Sequence, residues 1–228
     1  MMNFLERCSR PDISYAVHEC ARFCECPKKE HEKAIKWLGR YLKSTQDKGI
    51  VKQLNDEGLQ VYVDADFAGN WDPDHSENDK DTARSRHGYI ITYKGVPISW
   101  ASQLQSEISL TATESEYIGL STSLQKVTPL INLMEELSTM GIPIASNTTP
   151  FRCKVFEDNL GALTIAMVPK MRPRTRYFNT KYHHFRKYIE DKTISVIHLA
   201  TELQPADMLT KPLEKEQFVK HRLKIMGW

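Results

Sequence analysis

Residues 11–46 carry apolar side chains at helical spacing. In PKKEHEKAIKWLGRYLKST, Pro27 opens a segment in which Ala34, Ile35, Trp37, Leu38, Tyr41 and Leu42 recur at the helix period. An earlier helix is expected from about Ile13 to Phe23, and the run DKGIVKQLNDEG separates this helical piece from the rest of the chain. From Leu59 to Phe67 the period becomes two. Leu59, Val61 and Val63 share one face of a strand, and Tyr62, Asp64 and Asp66 share the other. After the polar loop NWDPDHSENDKDTARSRHG come two strands, GYIITY and VPISWASQ, joined at Lys94-Gly95 as a hairpin. A short run, EISLTAT, leads into a long helix that ends near Met140, with Gly141 as its cap.

CKVFED then reads as a strand, and Leu160 to Met167 as a short helix. A further helix is expected from about Thr180 to Asp191, and TISVIHLA is the last strand. Pro205 opens a short helix, and EKEQFVKHRLKIMGW closes the chain as another. Three neighbouring strands can pair antiparallel, whereas the later two need helical crossovers. The expected fold is α/β: a mixed five-stranded sheet flanked by helices and preceded by a small helical segment. Residues 1–50 form that segment, 58–211 the sheet domain and 212–228 a C-terminal helix.

Four acids sit at structural joints of this pattern: Asp64 in a strand, Glu116 at a helix start, Asp158 at a strand end and Asp207 in a late helix. At about 100° per residue, Leu120, Leu124, Val127, Ile131 and Met134 fall within roughly 80° of Glu116. Glu116 therefore points to the buried side, which is costly for a charge without a partner or metal. Glu114 points away and suits a capping box with Thr111. Asp158 could serve as an N-cap, although Asn159 beside it could do so instead. Asp207 lies in a first turn, where the helix dipole favours an acid. Asp64 and Asp66 share one strand face, and the residues alone do not say which of the two is functional. Carboxylates gathered from distant chain positions are the means by which a fold holds divalent metal. VYVDAD differs from the YVDD turn of polymerases, because its two aspartates are not adjacent.

The chain has 228 residues, a formal net charge of +2, 40% hydrophobic and 26% charged residues, which fits a globular chain with a sizeable core. No apolar run reaches membrane-spanning length, so no membrane partner is expected. Glu6, Arg7, Arg10, Asp12 and Glu19 do not fit a signal peptide. Four of the five cysteines precede residue 27, which is no disulfide framework, and an intracellular, reduced setting is expected. The spacing of Cys20, Cys24, Cys26 and His31 fits no common zinc module. Charge distribution says more than net charge. Residues 159–189 contain no acid, and Lys170, Arg172, Arg174, Arg176, Lys181, Arg186 and Lys187 alternate there with aromatic residues. That composition suits a nucleic-acid backbone, or else a solvated helix face. Trp100 is expected to pack in the core. Asp72, Asp74, Ser76 and Asn78 alternate as in a calcium loop, but Glu77 stands where its glycine belongs.

The blocks VYVDADFAG, RSRHGYIITYKGVPISWASQLQ, LTATESEYIGLS, VFEDNLGAL and QPADMLTKPL resemble, in order and spacing, the ribonuclease H domain of Copia-type retrotransposon polyproteins. Residues 9–45 resemble the end of the reverse transcriptase that precedes it. The resemblance implies a ribonuclease H-like fold and hydrolysis of the RNA strand of an RNA–DNA hybrid. It implies two magnesium ions, which manganese can replace, and a polymerase portion of the same polyprotein as partner. Carried over residue by residue, the catalytic and metal-binding acids are Asp64, Glu116, Asp158 and Asp207, with Asp64 expected to bridge both ions. The chain departs from many ribonucleases H in lacking a histidine before the last aspartate, where it reads ATELQP, so slower turnover is expected. Tyr177 likewise stands where the family often has histidine. A competing reading, a domesticated nucleic-acid-binding remnant without cleavage, is weakened by the presence of all four acids. An integrase-like nuclease is a poorer match to EDN and PADMLTK.

Overall fold

The computed structural model describes residues 1–74, 79–144, 152–168 and 180–228, with the side chains of Lys80, Thr180 and Lys181 left aside. Three helices come first: α1 (Met2–Cys8), α2 (Ser14–Ala21) and α3 (Lys29–Ser44). Then follow β1 (Leu59–Asp66), β2 (Arg86–Tyr93), β3 (Val96–Leu104) and the long α4 (Ala112–Thr139). The chain continues through β4 (Cys153–Glu157), α5 (Leu160–Met167), α6 (Arg186–Glu190), β5 (Ile194–His198) and α7 (Lys215–Met226). A 3-10 turn, Pro205–Leu209, lies between β5 and α7.

The sheet order is β3-β2-β1-β4-β5. β1 pairs antiparallel with β2 and parallel with β4, so the mixed five-stranded sheet expected from the pattern is present. Lys94 (φ 51) and Gly95 (φ 77) are both left-handed, as a two-residue hairpin turn of type I′ requires. Residues 105–111, which lead into α4, are a loop in which Thr111 caps that helix by accepting from the Glu114 amide at 3.1 Å. Glu114 in turn accepts from the Leu110 amide at 2.7 Å, so the capping box reaches one residue further back than expected. The segment 180–191 also departs from one helix. It is a 3-10 turn, Thr180–His183, followed by the five-residue α6.

Both faces of the sheet are covered, which makes β1 buried along nearly its whole length. On one face Leu59, Val61 and Val63 pack with Val155 of β4 and with Tyr117, Leu120, Leu124, Val127 and Ile131 of α4. This is the apolar stripe read from the helix period. On the other face Tyr62 and Ile90 pack against Met208, Leu209, Ile225 and Met226. A third cluster, Ile13, Val17 and Leu38, holds the N-terminal helices together.

Those helices are joined to the rest by polar anchors. The Trp100 indole donates to the Glu6 carbonyl at 2.8 Å, and Arg86 of β2 pairs with Glu19. Arg10 is buried, pairs with Asp12 at 2.8 Å and lies over the rings of Tyr41 and Trp228. Trp100 is thus only partly buried, packing against the Tyr62 and Ile90 cluster and not inside the core as expected, with its N–H spent on the N-terminal segment. Among the described residues, no helix is long and apolar enough to cross a membrane.

Candidate metal centre

Asp64 and Asp158 come from the carboxyl ends of the adjacent strands β1 and β4. That is where the chain connections leave in opposite directions and the strands diverge. Open α/β sheets collect ligands in such a crevice. The strand pairing stops at Tyr62 and Phe156. Beyond it the buried Gln204 amide donates to both the Val63 carbonyl (2.8 Å) and the Phe156 carbonyl (3.2 Å), fixing the gap. Gln204 immediately precedes the Pro205–Leu209 turn, so the same residue sets the height of Asp207.

α4 brings in Glu116 from the opposite face. At Gly119, one turn on, an added Cβ would lie 3.3 Å from His87 Cβ and 3.5 Å from Ala65 Cβ. Glycine thus lets the first turns of α4 sit close on the sheet. Asp158 is free of capping duty because Asn159 caps α5, accepting from the Ala162 amide at 3.0 Å.

The acids form two groups of three. Oxygens of Asp64, Asp158 and Asp207 lie within 4.8 Å of one another, as do those of Glu116, Glu157 and Asp158. All four sequence-derived acids therefore meet at one place. The residue common to both groups is Asp158, while Asp64 belongs to one of them. Asp66 is outside both groups, half-buried at the end of β1.

Three neighbours were not expected from the sequence. Glu157 stands beside Asp158, and strand alternation puts it on the inward face with Cys153 and Val155. Lys211 lies one helical turn beyond Asp207, its ammonium 3.2 Å from Asp207 and 3.7 Å from Asp64. The Thr210 hydroxyl donates to Asp64. No signal in the sequence marked Thr210 or Lys211 apart from this proximity.

Electrostatics follow from crowding. Burial pushes Asp64 up, against the pull of Lys211 and Thr210. Burial, then the charges of Glu157, Asp64 and Asp158, hold Glu116 well above the usual carboxylate range. Glu157 is raised for the same reasons. Burial and Asp64 push Asp207 up to about 7. Lys211, which burial alone would lower, is raised by Asp64 and Asp207. Acids that resist ionisation together are stabilised by a divalent cation. Buried Oε2 atoms of Glu116 and Glu157 lack a hydrogen-bond partner, so the donor set fits a hard, oxygen-seeking ion.

The basic stretch divides differently. Lys170, Arg172, Arg174 and Arg176 lie outside the described residues, as does the side chain of Lys181. Lys187 is exposed, whereas Arg186 turns inward and donates to the Ile165 carbonyl at 3.1 Å. His31 stacks on Phe23 at 3.9 Å and accepts from the Lys28 amide at 3.0 Å, which accounts for it without zinc. In the acidic loop, Asp72 and Asp79 accept from the amides of Asp74 and Asp81, while Ser76, Glu77 and Asn78 lie outside the described residues.

This strand order, with α4 across one face and acids at the β1/β4 crevice, defines a ribonuclease H-like fold. The chain is similar to the N-terminal ribonuclease H domain of Rv2228c from Mycobacterium tuberculosis, at 10% identity and a TM-score of 0.40 over 74% of this chain and 96% of that one. No protein-family model matches the chain. It is 33% identical over 211 residues to the retrovirus-related Pol polyprotein from transposon TNT 1-94 of Nicotiana tabacum, covering 92% of this chain. To that from transposon RE1 of Arabidopsis thaliana it is 34% identical over 218 residues, 95% of this chain. The chain belongs to the Copia-type retrovirus-related Pol polyproteins and spans about 14% of the length of these two relatives.

Proposed function

We propose that this chain is the ribonuclease H portion of a retrotransposon reverse transcriptase and hydrolyses the RNA strand of RNA–DNA hybrids with two divalent ions. The observation that carries the reading is the convergence of Asp64, Glu116, Asp158 and Asp207 into two groups of three sharing Asp158. Asp64, Asp158 and Asp207 would hold one magnesium, and Glu116 with Asp158 the other, with manganese able to replace them. When bound, such ions supply an activated water for attack at phosphorus and stabilisation of the departing 3′ oxygen.

The chain's own residues do the rest. Thr210 orients Asp64 through its hydroxyl, and Gln204 fixes the spacing between Asp64 and Asp158. Lys211 balances charge beside Asp64 and Asp207 before any ion arrives. Hybrid selectivity follows from groove shape and 2′-hydroxyl contacts, with Lys170, Arg172, Arg174, Arg176, Lys181 and Lys187 reading the backbone. Arg186 serves by bracing that segment against α5. Residues 1–50 are proposed as the end of the polymerase portion, resting on the sheet through Trp100 and Arg86.

The test is magnesium-dependent cleavage of a labelled hybrid beside duplex DNA and duplex RNA. Only the hybrid should be cut, and Asp158→Asn should abolish cutting while leaving the circular dichroism spectrum unchanged. Wild-type cleavage by a folded Asp158→Asn protein would refute the assignment.

A further inference from the structure

Glu157 is an ionisable group with no duty in the scheme of four acids. It ends β4 on the inward face and is fully buried, as are Cys153 and Val155 before it. A carboxylate in that position needs a partner for each oxygen, since burial without one is costly. Oε1 accepts from the Asn159 amide at 3.1 Å. Oε2 is buried and has no hydrogen-bond partner.

Glu116 is in the same condition, with a buried Oε2 that also lacks one. The ligand atoms of Glu116, Glu157 and Asp158 lie within 4.8 Å of one another. Lys211 is placed elsewhere, with its contacts going to Asp64 and Asp207. Two inward acids, each presenting an unmatched oxygen beside a third carboxylate, form an oxygen cage that a small hard cation completes. A purely structural acid would instead face a fixed donor for both oxygens.

We propose that Glu157 is a fifth ligand of the metal centre. With Glu116 and Asp158 it encloses one divalent cation in a group of three carboxylates, distinct from the group of Asp64, Asp158 and Asp207. This rests on the two-ion reading and deepens it. Each group then holds three carboxylates, but Lys211 lies beside Asp64 and Asp207, so the Glu116 side is the more negatively charged of the two sites. It therefore holds its ion more tightly than Glu116 and Asp158 alone would.

The experiment is manganese binding to the full chain without nucleic acid, followed by calorimetry and by the electron paramagnetic resonance signal of free Mn²⁺. Glu157→Gln preserves shape and leaves a carbonyl oxygen to accept from the Asn159 amide. It should weaken one of two bound ions by about tenfold or more and leave the other unchanged. Asp64→Asn should weaken the ion that Glu157→Gln spares. Two ions of wild-type affinity in Glu157→Gln would overturn the assignment of Glu157 while the Asp64→Asn result upheld two-ion binding. Unchanged binding in both Asp64→Asn and Asp158→Asn would overturn the two-ion reading itself, and Glu157 with it. If Glu157→Gln fails to fold, Glu157→Asp, which keeps the charge but withdraws it by one methylene, should weaken the same ion. Wild-type affinity there would equally overturn the proposal.

Discussion

Asp207→Asn should make the metal-free protein more stable and inactive at once. Asp207 is buried on the Pro205–Leu209 turn, and burial together with Asp64 raises it from 3.8 to about 7. An acid raised on folding binds its proton more tightly in the native state. The resulting penalty is absent below the unfolded value, grows between 3.8 and about 7, and is complete above it. At about 1.36 kcal/mol for each pH unit, the full rise corresponds to roughly 4 kcal/mol. Asp64 and Asp207 share the burden, and Asn gives up the 3.2 Å contact with Lys211, so about half of that is expected as net gain.

The assay is urea unfolding in the presence of a chelator at about pH 8 and again near pH 4. Near pH 8 the variant should be more stable by about 2 kcal/mol, which shifts the urea midpoint by roughly 1 M for a chain of this size. Near pH 4 the two proteins should coincide. Excess magnesium should reverse the order, because the wild type gains binding energy that the variant lacks. A variant no more stable than wild type near pH 8 without metal would refute the reasoning, since it would mean that the acids are not in conflict.

Two further outcomes test the frame around the site. An added Cβ at Gly88 would lie 2.6 Å from Leu209 Cβ, so Gly88→Ala should cost about 2 kcal/mol in thermal unfolding and lower hybrid cleavage by moving the turn that carries Asp207. His87 is buried with both ring nitrogens unpartnered, and burial pushes it down to about 4. A base lowered on folding contributes stability above its unfolded value of 6.5 and loses it as pH falls towards about 4. His87→Leu should therefore remove roughly 2 kcal/mol of the acid-side loss between about pH 6.5 and 5, read from denaturant titrations at several pH values.

What could be read from the chain beforehand depended on whether a local rule or a distant contact decided each residue. Glu116 was legible because helix period is local: the same stripe that buries Leu120 and Leu124 carries it inward. The Lys94-Gly95 hairpin and the Thr111 cap were legible for the same reason, whereas the sequence left Asp158 and Asn159 both open as the cap of α5 and only the structure assigns it to Asn159. The loop before α4 is braced by contacts no spacing expresses, the Ser109 hydroxyl donating to the Gln105 side chain and the Gln105 amide donating to the Ser115 carbonyl. Helix α1 was not legible because its only fully buried residue is Glu6, which accepts from Ser14 at 2.6 Å, and its apolar contact is limited to Met2 and Leu5, both partly buried. Arg186 belongs to a basic run by composition, yet α5 offers it a carbonyl, a fact of packing that no spacing expresses. Glu157 was within reach by strand parity alone and was masked by the family likeness, which directs attention to Asp158.

The precision of the site is inherited from the apolar residues that alternate with its acids. β1 runs opposite β2 over eight residue pairs, with Asp64 across from Gly88 and Val63 across from Tyr89. Side chains change face at every residue, so a slip by one would send Asp64 under α4 and bring Val63 to the turn that carries Asp207. Such a slip would bury a charge among Leu120 and Leu124 and leave Lys211 without Asp64. It would also remove Leu59, Val61 and Val63 from the main core at about 1.5–3 kcal/mol each. That exceeds the roughly 4 kcal/mol assigned to the Asp207 conflict. The hydrophobic pattern can therefore hold mutually repelling acids in register without metal, which is the state in which an ion must find them.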